Sequence, residues 1–407
     1  MLTTTNVVRA HHKLFTFGPP FRRGAEVLLL FAGWRIIVLF ISVVASQFGP
    51  QPPDTAIDLL GRSLDRWDAG WYQAIARDGY SGTIDGNTGH GNVAFYPLLP
   101  LLLKLAYTVL PSWRLSGALV VHFALLGALL YAYAIARLDY DLATARRFII
   151  AILLFPTAVF LTAIYTESLL LLTITASVYH ARRGQWLLAG IWGAAAGLTK
   201  MPGAVVLVPL LWEYWRSKAW RGPDRRRIIG QLAALALVPL GALAFLGYLQ
   251  LHFGTYQTYF TVQQGWHRGT RFAPFFPDGW NFLLAYFNGT SEQLINYFYP
   301  QGATTLPTTT TFMVIDLLFL LFGIIFGIVL LWRVRITYGL LVLAGLFMTA
   351  YSGSPQSINR YTIIFFPIPL LLALAARRPA VGFFLFMAGA FLMTIHVYFF
   401  VNGYWAG

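Results

Sequence analysis

Residues 216–227 read RSKAWRGPDRRR and stand between two strongly apolar runs. This short segment carries six cations and a single carboxylate. Loops rich in Lys and Arg stay on the cytoplasmic side of membrane proteins. We therefore expect this loop to lie inside, and the side of every other loop follows from it by alternation.

The composition of the whole chain agrees with a protein that lives in the lipid bilayer. Of its 407 residues 57% are hydrophobic and only 11% are charged. Runs of about 20 apolar residues, the length that crosses a bilayer as a helix, recur from end to end. The formal charge of +14 mostly sets orientation, so it does not imply a nucleic-acid partner. The absence of cysteine excludes disulfides and Cys-ligated metals.

The sequence predicts an all-α polytopic membrane protein with about eleven transmembrane helices. The candidate spans are residues 25–47, 115–136, 148–164, 168–181, 186–199, 202–215, 228–251, 311–332, 336–351, 361–376 and 380–400. A further apolar run, 93–110, holds Pro97, Pro100 and Lys104. The basic N-terminus lies on the cytoplasmic side only if this run does not cross the membrane. We therefore expect the run 93–110 to be embedded.

The chain is expected to form one integral-membrane domain, residues 1–407. Two external segments interrupt it: 48–114, which contains the embedded run, and 252–310, which is rich in aromatic residues, Gly and Pro. There is no internal repeat, Walker motif or Gly-rich dinucleotide fingerprint. Nucleotide binding is therefore unsupported by the sequence.

The first external segment contains an unusual charged and aromatic stretch, DRWDAGWYQAIARDGY, at residues 65–80. It predicts one short helix on the membrane surface, capped by Asp65 and ended by Gly79. Trp67 and Trp71 would share one face of that helix. These two rings either shape a site or simply anchor the helix at headgroup depth.

Three carboxylates are candidates for chemistry. Asp68, among aromatic rings at a dry interface, is suited to taking a proton from a substrate. Glu167 follows an external turn between two apolar spans, where an unpaired buried charge is costly. Each has a simpler alternative, which is to stabilise a helix N-terminus. Asp316 lies one or two turns into a span, and the sequence favours neither a functional nor a structural role for it.

Cations recur on the same external side. Lys200 and Arg360 lie at span ends, and Arg268 and Arg271 lie in the second external segment. Such donors at headgroup level suit a lipid phosphate, although each could also extend its side chain to the interface without a substrate role. His90 either contacts substrate or caps a turn. No cluster with metal-ligand spacing is present, so we expect no metal site and leave metal dependence open.

Several ordered motifs resemble those of one known family. They are RWDAGWYQAIARDGY at 66–80, NVAFYPLLPLL at 92–102, FPTAVFLTAIYTESLLLL at 155–172, GLTKMPG at 197–203, SINRYTIIFFP at 357–367 and the terminal NGYWAG. Through these motifs the chain resembles the PIG-V type mannosyltransferases, in particular their bacterial homologues. That family belongs to the GT-C class of polytopic glycosyltransferases, whose first external loop carries embedded juxtamembrane helices.

The resemblance implies an enzyme that transfers a sugar, with mannose as the family's usual one, from a polyprenyl-phosphate donor to a glycolipid or glycan acceptor. Transfer would take place on the non-cytoplasmic face of a bacterial plasma membrane, with inversion and without a cofactor. Asp68 would be the catalytic base and Glu167 a second catalytic carboxylate. The residues expected to contact substrate are Trp67, Trp71, Tyr72, His90, Tyr165, Lys200, Arg360 and Tyr361. Lys200 departs from the Arg expected in many relatives, which leaves bidentate phosphate contact there in doubt.

Two other functions remain as alternatives. A lipid or sugar transporter should have repeated halves and a polar site near the bilayer midplane, whereas the charged candidates here, apart from Arg35, gather at one face. A protein that only binds glycolipid without turning it over also fits the sequence.

Overall fold

A computed structural model of the protein describes residues 20–49, 55–265, 306–351, 357–404 and 406. The helices are α1 (Pro20–Gln47), α2 (Ala56–Leu64), α3 (Asp68–Asp78), α4 (Leu98–Tyr107), α5 (Trp113–Ala136), α6 (Leu142–Leu153), α7 (Glu167–Arg182), α8 (Trp186–Thr199), α9 (Leu207–Arg216), α10 (Arg225–Phe253), α11 (Gln257–Gly265), α12 (Leu306–Arg333), α13 (Ile336–Ala350), α14 (Ile358–Thr362), α15 (Pro367–Ala375) and α16 (Pro379–Val401). The described residues contain no strand. The predicted all-α class is thus confirmed.

Five helices are long and apolar enough to cross a membrane. They are Gly24–Gln47 within α1, all of α5, all of α10, Val314–Arg333 within α12, and α16. The shortest of these segments has 20 residues, which spans about 30 Å at 1.5 Å per residue. The integral-membrane class is therefore confirmed. The number of eleven spans and the boundaries of the two external segments stay predictions.

Two other predicted spans, 148–164 and 361–376, are interrupted, and a third break lies at the boundary predicted between 186–199 and 202–215; proline stands at each of the three. α6 ends three residues before Pro156, α8 ends three residues before Pro202, and α15 starts at Pro367 after the separate short helix α14. Proline lacks the backbone N–H and its ring clashes with the preceding turn, so it ends a helix or begins a new one. Irregular backbone within a membrane is tolerated where protein covers it, and residues 157–171 are all buried.

The stretch 65–80 folds differently from the single helix that we expected. Asp65 is the C-cap of α2, and α3 starts only at Asp68. Between them Trp67 has φ +50°, a left-handed value that no continuous helix permits. The expected N-cap at Asp65 is wrong, because its carboxylate instead accepts a hydrogen bond from Gln73 Nε2 at 2.7 Å. Trp67 consequently precedes the helix and does not share a face with Trp71. Gly79 ends α3 as predicted, with φ +84°.

The run 93–110 contains a helix too short to cross the bilayer. α4 has 10 residues, which corresponds to about 15 Å at 1.5 Å per residue. This is half of the hydrocarbon thickness, roughly 30 Å. The short helix supports a run that is embedded in the membrane. Whether the run crosses can be decided by finding on which side of the membrane Ser112 lies.

We expect a cysteine placed at Ser112, the N-cap of α5, to react with a membrane-impermeant thiol reagent added from outside intact cells. The natural chain has no cysteine, so any labelling reports the introduced thiol. Asn87→Cys in the first external segment serves as the outside control, and Lys218→Cys in the basic loop as the inside control. Labelling of Ser112→Cys only after the cells are opened would mean that 93–110 crosses the membrane.

Candidate active site

Asp68 is the first residue of α3 and lies in a charged cluster. Its Oδ2 accepts a hydrogen bond from Arg360 Nη1 at 2.9 Å, across 292 residues of sequence. Its backbone N–H donates to the Tyr165 hydroxyl at 3.3 Å. The side chain of Asp68 keeps 17% of its surface exposed, so a substrate hydroxyl can reach it.

Glu167 is the first residue of α7 and is almost completely enclosed, with 2% of its side chain exposed. Its Oε1 lies 3.2 Å from Arg360 Nε and 3.9 Å from Lys200 Nζ. Its Oε2 is buried with no hydrogen-bond partner among the described residues. A carboxylate in such a place is stabilised by its cations rather than by water.

Arg360, on the short helix α14, joins the two carboxylates. Its side chain is 3% exposed, and its guanidinium carbon also lies 5.1 Å from the ring centre of Tyr165. Burial on its own lowers the pKa of Arg360, but Glu167 and Asp68 raise it well above its usual value. The guanidinium therefore stays charged and fixes the relative position of Asp68 and Glu167.

Lys200 is the more accessible cation of the cluster. It stands between the end of α8 and a short 3₁₀ segment, Met201–Val206. Its side chain is 17% exposed, and Nζ lies 4.0 Å from the ring centre of Tyr361. Two carboxylates and two cations are thus in contact, so the cluster is close to neutral before any substrate arrives.

Two buried tyrosines border the cluster. The hydroxyl of Tyr72 forms a side-chain hydrogen bond with Thr166, and burial, with added repulsion from Asp68 and Glu167, raises its pKa well above the usual value. Burial and the Asp68 carboxylate likewise raise the pKa of Tyr165. Both phenols therefore keep their protons and can act as hydrogen-bond donors, but not as bases.

The structure brings together seven of the candidate residues and leaves others apart. Those in the cluster are Asp68, Glu167, Tyr72, Tyr165, Lys200 with Arg360, and the adjoining Tyr361. Trp71 instead stacks on Phe95, with ring centres 5.6 Å apart. His90 contacts the Gly265 carbonyl through Nε2 at 3.1 Å. Trp67 lies at the strained turn before α3 and is half exposed. Arg268 and Arg271 fall outside the described residues.

The sequence did not indicate which residue contacts the turn that carries Arg360. Asp316 is completely buried, and its two carboxylate oxygens accept hydrogen bonds from the backbone N–H groups of Ser357 and Asn359. The only sequence signal was an acidic residue inside an apolar span, which left its role open. Within the described residues there is no group of three or more His, Cys, Asp or Glu side chains that could hold a metal ion.

The cluster contains a partly exposed carboxylate, Asp68, and a partly exposed ammonium, Lys200, which are connected through Arg360 and Glu167. The carboxylate can accept a proton from a hydroxyl, and the ammonium can contact an anion. Residues 46–221 match the family model described as Mannosyltransferase (PIG-V). This PIG-V segment includes Asp68, Glu167 and Lys200, whereas Arg360 follows it in the chain. The family resemblance indicated by the motifs is confirmed over this segment, and it supports a membrane glycosyltransferase.

No curated protein matches the sequence. Two crystal structures of ArnT from Cupriavidus metallidurans are similar to the chain. The form bound to undecaprenyl phosphate is 14% identical, with 92% of this chain and 76% of that chain covered and a TM-score of 0.41. The apo form is 14% identical, with 94% and 76% covered and a TM-score of 0.39. This similarity is distant, and the match of the PIG-V segment is the finding that bears on function.

Proposed function

We propose that the protein is a membrane glycosyltransferase of the GT-C class that transfers mannose from a polyprenyl-phosphate donor to an acceptor hydroxyl on the non-cytoplasmic face. The observation that carries the proposal is the contact of Asp68 with Arg360 within a cluster that also contains Glu167 and Lys200. The family match of residues 46–221 supports the sugar-transfer chemistry. The acceptor is a glycolipid or glycan hydroxyl.

In the proposed reaction Asp68 removes the proton from the acceptor hydroxyl. The acceptor oxygen forms a bond to the anomeric carbon of mannose while the bond between that carbon and the lipid phosphate oxygen breaks. The polyprenyl phosphate leaves with the electron pair, and the sugar inverts its configuration. The proton stays on Asp68 until it passes to water. General base catalysis of this kind contributes about 100- to 10,000-fold to a rate.

The two cations have different tasks in this proposal. Arg360 is enclosed and occupied by two carboxylates, so it holds Asp68 and Glu167 in place. Lys200 is the more accessible cation and contacts the phosphate of the donor. Glu167 draws the ammonium of Lys200 toward the site and borders the sugar. Tyr72 and Tyr165 remain available as hydroxyl donors.

The direct test is a transfer assay with the purified chain in lipid nanodiscs. Polyprenyl-phosphate mannose and polyprenyl-phosphate glucose, each radiolabelled in the sugar, are supplied with membrane extracts that contain natural acceptors. We expect labelled product from the mannose donor, identified by mass analysis. Transfer from the glucose donor alone would overturn the sugar assignment, and absence of product from both donors would overturn the activity. Uptake of intact donor across vesicles without product would instead indicate a transporter.

Removing the charge of Lys200 should weaken donor binding. We expect Lys200→Met to raise the KM for the polyprenyl-phosphate donor by about 10-fold or more, in line with the loss of one charge-assisted contact. Lys200→Arg should stay within about 3-fold of wild type, since the charge is kept. Lys104→Met, an exposed lysine on α4, is the matched control. An unchanged donor KM in Lys200→Met would remove Lys200 from the phosphate site.

A further inference from the structure

We propose that Asp316 is a positioning residue that holds Arg360 against Asp68 and Glu167. The inference rests on the proposed function, because it assigns Asp316 a part in the same site. Asp316 belongs to α12 and is fully buried. It lies in a span, far in sequence from the residues that it contacts, and touches none of the groups proposed to react.

Among the described residues, the hydrogen bonds that Asp316 accepts come from one turn, residues 357–362. Its Oδ2 accepts a hydrogen bond from the Ser357 N–H at 3.0 Å, and its Oδ1 accepts one from the Asn359 N–H at 2.7 Å. These N–H groups stand at the start of α14, which has no side-chain cap of its own. A carboxylate satisfies such free amides well and favours the positive end of a helix. Asp316 thus caps α14 from another helix.

The turn needs this support because its backbone is strained. Ser357 has φ +71°, in the left-handed region that costs energy for a residue other than glycine. Such a conformation persists only where the surroundings impose it. The Asp316 carboxylate bonds this very residue, so it supplies part of that constraint. An apolar residue at position 316 could not do so.

A second set of contacts fixes Asn359, the neighbour of Arg360. Its carbonyl accepts a hydrogen bond from Thr157 Oγ1 at 3.2 Å, and its side-chain Nδ2 donates to the Ala406 carbonyl at 3.3 Å. Thr157 lies on the buried segment that leads to Tyr165 and Glu167. The turn that carries Arg360 is therefore tied to the segment that carries Glu167, as well as to α12.

This arrangement explains why an acidic residue is present in an apolar span. Enclosing a carboxylate is costly unless hydrogen bonds and cations compensate it.

The contacts of Arg360 with Asp68 and Glu167 are 2.9 and 3.2 Å long, so a small displacement of the turn breaks them. Displacing a catalytic group by about 1 Å can lower a rate by about 100-fold.

We expect Asp316→Asn to lower kcat by about 30-fold while the KM for the donor stays within about 3-fold, because the backbone of Lys200 lies between α8 and the 3₁₀ segment, outside the turn 357–362. The matched control is Glu213→Gln. Glu213 is also a buried carboxylate, paired with Arg335 at 2.9 Å, but belongs to the end of α9 that adjoins the basic loop. We expect its kcat within about 3-fold of wild type even if both variants lose similar thermal stability. Equal kcat in the two variants would overturn the proposal.

A double-mutant cycle separates positioning from general stability. If Asp316 acts through Arg360, then Asp316→Asn in an Arg360→Lys background should lower kcat by less than about 3-fold. A full additional 30-fold loss would contradict action through Arg360. Thr157→Val removes a milder contact of the same turn and replaces Asp316→Asn if that variant does not fold. Unchanged kcat in Thr157→Val would then overturn the proposal.

Amide hydrogen exchange gives a readout that does not depend on transfer activity. In Asp316→Asn, peptides covering residues 357–362 should exchange at least about 10-fold faster than in wild type, and those in Glu213→Gln should be unchanged. If wild-type protein transfers no sugar, the proposed function fails and this measurement still decides the contact. Unchanged exchange in Asp316→Asn would overturn the assignment of Asp316 in either case.

Discussion

Replacing Asp68 by asparagine is expected to lower the kcat of sugar transfer by about 1,000-fold, within the range that general base catalysis contributes. Asparagine has nearly the same shape and can still accept the hydrogen bond that Arg360 Nη1 donates to Asp68 Oδ2 at 2.9 Å. The fold should therefore survive, while the group that takes the proton is lost. The measurement is kcat with polyprenyl-phosphate mannose, together with the thermal stability of the same preparation.

A matched control lies on the same helix. Asp78 ends α3 and is exposed, and among the described residues it forms an ion pair only with the neighbouring Arg77. Asp78→Asn removes the same charge about ten residues away and should leave kcat within about 2-fold of wild type, as for an exposed pair. If Asp68→Asn turned over as fast as Asp78→Asn, Asp68 would not be the base, and Glu167 would become the carboxylate to test.

Much of the site can be predicted because charged side chains are energetically unfavourable at the positions that they occupy. Asp68 and Glu167 are acidic groups at the edges of apolar segments, and Lys200 with Arg360 are cations where orientation does not call for them. Those properties belong to the local sequence. The structure brings these four side chains into contact, and their roles in transfer remain predictions.

What could not be predicted depends on contacts between distant segments. Asp316 bonds Ser357 and Asn359, more than 40 residues away, and no local pattern specifies that pairing. Aspartate is favoured at helix N-caps, but the carboxylate of Asp65 instead contacts Gln73 and Arg114. His90 is expected either to contact substrate or to cap a turn, and its ring lies against the carbonyl of Gly265, 175 residues away in sequence, which no local pattern specifies.

The fold shows the same division between local and tertiary information. Hydrophobicity and length identified the long helices α1, α5, α10, α12 and α16. Hydropathy does not report where an apolar run stops being helical, so the breaks near Pro156 and Pro367 fall inside the predicted spans 148–164 and 361–376. The break near Pro202 coincides with the boundary predicted between spans 186–199 and 202–215. These breaks are functionally important in our proposal, because Glu167, Lys200 and Arg360 come from the segments at the breaks, whereas Asp68 comes from α3.

Replacing Arg360 by methionine should have the largest effect on stability. It leaves Asp68 and Glu167 without their common partner, and Glu167 is 2% exposed. Breaking one side of a buried ion pair typically costs about 3–5 kcal/mol, so we expect a strongly lowered melting temperature in detergent and little transfer. Arg335→Met, which removes the partner of buried Glu213, should also lose stability, but its folded fraction should retain kcat.

A neutral triple variant then separates the structural role of Arg360 from its role in the reaction. Asp68→Asn, Glu167→Gln and Arg360→Met together leave Lys200, the more accessible cation, as the one charge of the cluster, and replacing buried ion pairs by neutral groups is often tolerated. We expect the melting temperature to recover most of the loss seen in Arg360→Met, while transfer stays about 1,000-fold below wild type because the base is absent. If the triple variant were no more stable than Arg360→Met, the cost would come from lost packing of the guanidinium. If it transferred sugar at a normal rate, the charged cluster would not be the active site.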